Sequence, residues 1–86
     1  MLEKIYAELE GSKDVLRVLI LEIIKKNKEK NRVKERNDGI VISMKYIPSE
    51  IEKTLTKTGY LIKKLIPGTN LEMYTDMKYL YIYPIL

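Results

Sequence analysis

Cysteine and histidine are both absent from the 86 residues. Without cysteine the chain has no disulfide and no thiolate metal site. Without histidine it lacks the commonest metal ligand and the side chain best suited to move protons near neutral pH. Tryptophan and phenylalanine are missing too, so all seven aromatic residues are tyrosines. Gly11, Gly39, Gly59 and Gly68 are scattered singly, each reading as a stop or turn, and no glycine-rich phosphate loop is present. There is no long hydrophobic run. The longest, Val15 to Ile24, is broken by Arg17 and Glu22 and falls well short of the roughly 20 residues that span a bilayer. Acidic residues precede it and no small-residue cleavage site follows, which argues against a signal peptide and for a cytoplasmic protein.

Catalysis has little to work with. Ser12, Ser43 and Ser49 have no histidine partner, and helix capping accounts for Ser12 and Ser49. Glu3, Glu8 and Glu10 belong to a terminal helix, while Glu72 and Asp76 flank a turn. Glu50 and Glu52 are two apart, so they do not share a helix face. The expectation is a binding protein, not an enzyme, with no cofactor and no metal.

A chain this short is one domain and buries only about 60–65% of the surface its unfolded form exposes. Dimerisation is one way to add buried surface. Twelve Ile and thirteen Lys stand against three Arg and no Gln, a bias that suits an A+T-rich or heat-adapted source such as an archaeon or its viruses. The net charge of +4 is unevenly spread. Lys25, Lys26, Lys28, Lys30, Arg32, Lys34 and Arg36 make the segment from Lys25 to Arg36 +5 after Glu29 and Glu35 are subtracted, and the rest of the chain carries −1. Such a segment can neutralise phosphates and release their counterions.

The spacing of Leu2, Ile5, Tyr6 and Leu9 predicts a short amphipathic helix. A second helix is expected from Lys13 through Ile24 into the basic segment, with Ser12 as N-cap and Asp14 in its first turn. Its first half is apolar on nearly every face, so Leu16, Leu19, Ile20 and Ile23 are candidates for a homodimer interface. Asn37-Asp38-Gly39 marks a turn, and Ile40 to Tyr46 reads as a strand with Ile40, Ile42, Met44 and Tyr46 on one face. Ser49 and Glu52 form a capping box for a short helix to about Leu55. Residues 58–66 fit a third helix, with Leu61, Ile62, Leu65 and Ile66 on one face and Lys57, Tyr60, Lys63 and Lys64 on the other; a strand from Tyr60 to Ile66 is the alternative. Two strands follow, Leu71 to Tyr74 and Lys78 to Tyr83, joined at Thr75-Asp76-Met77. The division is N-terminal helices and basic segment over 1–36, then strand, two helices and hairpin over 39–83, an α+β domain.

That element order, from about Ser12 to Tyr83, resembles the winged helix-turn-helix family of DNA-binding proteins. The resemblance implies a positioning helix at 49–55, a recognition helix at 58–66 and a wing around Thr75-Asp76-Met77. It nominates Lys57, Thr58, Tyr60, Lys63 and Lys64 for the groove of double-stranded DNA and Lys78 for the wing, with the basic segment on phosphates, in a transcriptional regulator. Two other readings stay open. The apolar surface of 15–24 suits a module that docks on another protein, such as a host protein. Tyr79, Tyr81 and Tyr83 share one strand face and could stack bases of RNA or single-stranded DNA.

Overall fold

The computed structural model describes residues 1–11, 13–55 and 62–85. The architecture is α+β, with N-terminal helices followed by a five-stranded antiparallel sheet. Helix α1 spans Leu2–Leu9 and buries Leu2, Ile5 and Leu9, one stripe at helical spacing. Helix α2 spans Val15–Glu29 and buries Ile20, Ile23, Ile24 and Asn27. Its N-cap is Asp14, whose carboxylate accepts from the Arg17 amide at 3.1 Å. The cap expected at Ser12 lies outside the described residues. Arg17 ties the N-terminal helices together, donating from Nη2 to the Glu8 carbonyl at 2.6 Å. The Glu8 carboxylate in turn accepts from the Asn70 amide at 2.6 Å.

Helix α2 ends inside the basic segment. Asn31 adopts a left-handed conformation, φ 61°, which asparagine tolerates better than most residues. The Arg32 amide donates back to the Asn27 carbonyl at 2.7 Å, and the chain enters strand β1, Val33–Glu35. Strand β2 is Ile40–Ser43, four residues instead of the seven expected. Met44–Tyr46 forms a 3-10 turn that keeps Met44 buried, and Pro48 precedes helix α3, Ser49–Leu55.

The helix expected at 58–66 is not formed over its second half. Ile62–Leu65 is strand β3, paired with β4, Leu71–Thr75, through Ile62↔Thr75, Lys63↔Tyr74, Lys64↔Met73 and Leu65↔Glu72. Four residues carry no helical nucleus of their own, whereas the ladder offered by β4 satisfies their backbone. Lys57, Thr58 and Tyr60 lie outside the described residues. Strand β5, Tyr79–Pro84, sits between β2 and β4, giving the order β1-β2-β5-β4-β3.

Residues paired across strands share a face. The inner rows are Val33, Ile42, Leu80, Thr75, Ile62 and Glu35, Ile40, Ile82, Met73, Lys64. Their central members join the helices' apolar stripes, with Ile47, Ile66 and Leu71, in one core. Ile20 and Ile23, expected at a homodimer interface, belong to that core at 1% and 5% exposure. Leu16 and Leu19 are half-buried, and Leu16 packs against the core cluster. The core takes up Ile20 and Ile23 and leaves Leu16 and Leu19 partly exposed. Among the described residues no helix is long and apolar enough to cross a membrane.

Candidate nucleic-acid interface

Alternation along β4 and β5 sends Leu71, Met73, Leu80 and Ile82 inward, so Tyr74, Tyr79, Tyr81 and Tyr83 face outward. No outward side chain of the sheet belongs to the core cluster. One outer row crosses all five strands: Lys34, Val41, Tyr81, Tyr74, Lys63. At the usual strand spacing it is about 19 Å long. Cations stand at both ends and two phenol rings in the middle. The Tyr74 and Tyr81 rings lie 5.7 Å apart and tilted, and Tyr79 meets Tyr81 edge-on at 6.1 Å, both within the range of favourable aromatic pairs.

The next row holds Leu65, Glu72 and Tyr83. The Tyr83 hydroxyl donates to the Glu72 carboxylate at 2.8 Å, and Lys63 is ion-paired to the same carboxylate at 3.4 Å. Burial, then the hydrogen bond to Glu72 and its negative charge, pushes the Tyr83 phenol up to about 12. A cavity of about 310 Å³ opens on this face, lined by Tyr74, Tyr81, Tyr83 and Val41 and bordered by Arg36 and Asp38. Gly39 forms part of its wall. A side chain there would collide with the Ile82 carbonyl and approach Tyr83 Cβ to 2.8 Å.

The basic segment is not one patch. Lys25 pairs with Glu10 at 3.8 Å and Lys28 with Glu35 at 3.6 Å. Lys26, Lys30 and Arg32 line a second cleft on the helix side. Only Lys34, by its register, and Arg36, at the cavity rim, reach the tyrosine face. The turn at Asn31 causes this division, because a strand changes face at every residue and a helix does not.

Lys63 and Lys64, expected on one helix face, fall on opposite faces of the sheet for the same reason. Lys78 is exposed in the β4–β5 turn, which Asp76 holds by accepting from the Lys78 and Tyr79 amides, both at 2.7 Å. Tyr79, Tyr81 and Tyr83 share the face expected of them. Tyr74 and the flanking role of Lys63 were not anticipated, since both depend on register. Among the described residues there is no group of acids that could hold a metal ion. No family model matches the chain, and no match was found among curated proteins or solved structures.

Proposed function

We propose that this protein binds single-stranded nucleic acid across the outer face of its sheet. The observation that carries this reading is the row Lys34, Val41, Tyr81, Tyr74, Lys63, with cations at its ends and two adjacent, tilted phenols between. Bases of any identity have a π-face, so a tyrosine platform is tolerant of sequence. Lys34, Arg36, Lys63 and Lys78 are exposed and supply the phosphate contacts. The Lys63–Glu72 pair is no obstacle, because the Lys63 side chain is 62% exposed and such surface pairs are worth at most about 1 kcal/mol.

Fluorescence anisotropy with a short labelled oligouridylate tests the proposal. Wild type binds, and Tyr79→Ala and Tyr81→Ala each lose about 1–3 kcal/mol per stacked base. Equal binding by wild type and both variants, with folding checked by circular dichroism, would overturn it. Duplex DNA is the second reading, favoured by Lys26, Lys30 and Arg32, which are free of ion pairs among the described residues. An unlabelled duplex that competes better than the single strand selects that reading.

A further inference from the structure

A second cleft, of about 320 Å³, lies between α2, the 3-10 turn and α3, and shares no lining residue with the sheet-face cavity. Lys26 on α2 and Lys30, its C-cap residue, are about one helical turn apart, and Arg32 joins them after the chain reverses at Asn31. Glu22 is the one carboxylate among the described lining residues. Like charges one turn apart on a helix repel. Here three cations converge, and none is ion-paired within the described residues. The Arg32 guanidinium lies on the Tyr46 ring, 4.0 Å from its centroid. That stacking occupies a face of the guanidinium and leaves its N–H edge, the fork that matches a phosphate, for a ligand. Leu19, Ile23, Pro48 and Ile51 form an apolar side of the cleft, and Asn27, whose side-chain amide donates to the Ile23 carbonyl at 2.8 Å, also lines it.

We propose that this cleft binds a phosphate monoester joined through a sugar to one planar ring, the chemistry of a single pyrimidine nucleotide. Three cations against one carboxylate match a dianion better than a carboxylate ligand. The apolar side accepts a ring, and the volume lies at the small end of ligand sites, which run from about 300 to 1,000 Å³. The same chemistry comes from two sources, a free nucleotide or the 5′-phosphorylated end of a strand. The free-nucleotide case stands independently of the sheet-face reading.

The test is an amide NMR titration of the whole chain with uridine 5′-monophosphate, uridine and inorganic phosphate. The expected result is saturable shifts at Lys26, Lys30, Arg32 and Tyr46. Uridine, which loses the charge-assisted contacts, and inorganic phosphate, which loses the burial of the ring, should each bind more weakly by roughly ten-fold or more. Lys30→Gln and Arg32→Gln weaken the nucleotide while Lys25→Gln, on the ion-paired side, does not. Uridine binding as tightly as its monophosphate would overturn the proposal, as would shifts confined to Tyr79 and Tyr81 or unchanged affinity in both variants. Oligonucleotides with and without a 5′-phosphate separate the sources. A preference for the phosphorylated end that Lys30→Gln abolishes identifies a strand terminus. Nucleotide binding without that preference identifies the free nucleotide. Loss of oligonucleotide binding in Tyr81→Ala, with nucleotide binding intact, isolates the sheet face from the cleft.

Discussion

Tyr83 and Glu72 are joined across β5 and β4 by a 2.8 Å hydrogen bond from the phenol to the carboxylate, and Lys63 of the edge strand closes on the same carboxylate. The three residues link β3, β4 and β5 on the outer face. The bond needs the phenol protonated, so it resists ionisation.

This has a consequence at high pH. The Tyr83 phenol is raised to about 12 in the folded chain from its ordinary value of 10.0. A group whose folded pKa is raised contributes stability that is complete below the unfolded pKa and lost as pH climbs through the folded one. Tyr83→Phe should therefore remove a late-titrating phenolate from the absorbance titration. The stability of wild type relative to that variant should be constant below pH 10 and fall between 10 and 12. A flat difference across that window would contradict the assignment.

Gly39 and Gly68 should respond differently to alanine. At Gly39 the new methyl meets the Ile82 carbonyl, backbone of the central strand β5, which cannot retreat. Overpacking of that kind costs about 1–3 kcal/mol, and more where backbone must move. Gly68 has φ +71° and its methyl would approach Arg17 Nη1 at 2.9 Å. Arg17 is a side-chain end and can shift, so the cost is chiefly the left-handed backbone, about 1–2 kcal/mol. Urea denaturation of both variants should rank Gly39→Ala as the more damaging.

Burial on α2 predicts a sharp contrast within one helix. Ile20, 1% exposed, should lose about 2–5 kcal/mol on replacement by alanine. Val15, 72% exposed, should change by no more than about 0.5 kcal/mol. A large effect at Val15 in unfolding experiments would mean that the exposed end of α2 is covered by a second copy.

The division of the basic segment makes the salt dependence of oligonucleotide binding diagnostic. Each phosphate contact to a single strand contributes about 0.7 to the slope of log affinity against log salt. Removing both Lys34 and Arg36 should flatten that slope by roughly 1.4. Removing Lys25 and Lys28, which lie on α2 and do not reach the tyrosine face, should leave it nearly unchanged. Equal effects from the two double variants would mean that the segment acts as one undivided patch.

Much of this domain is legible in local spacing. The stripe of Leu2, Ile5 and Leu9 specified α1 to the residue, and the alternation Tyr79, Leu80, Tyr81, Ile82, Tyr83 specified a strand with its tyrosines on one side. These are properties of neighbours in sequence, at periods of 3.6 and 2. The box of Ser49 and Glu52 likewise marked the start of α3 to within one residue, Ser49 being its first residue and not the cap before it.

Tertiary structure decided the rest. Leu65 and Ile66 beside Ile62 fit a helix face as well as a strand, and only the ladder to β4, with its four paired positions, made Ile62–Leu65 a strand. Val33–Glu35 is a stretch of charge around one valine and has no strand signal of its own; pairing with β2 supplies it. The same pairings carried Lys34 and Lys63 to opposite ends of one row and set Tyr74 beside Tyr81. The missing cysteine and histidine narrowed the chemistry from the outset. Which cations meet which rings was settled by register, and register is a hydrogen-bonded relation between residues far apart in the chain, outside the reach of any local pattern.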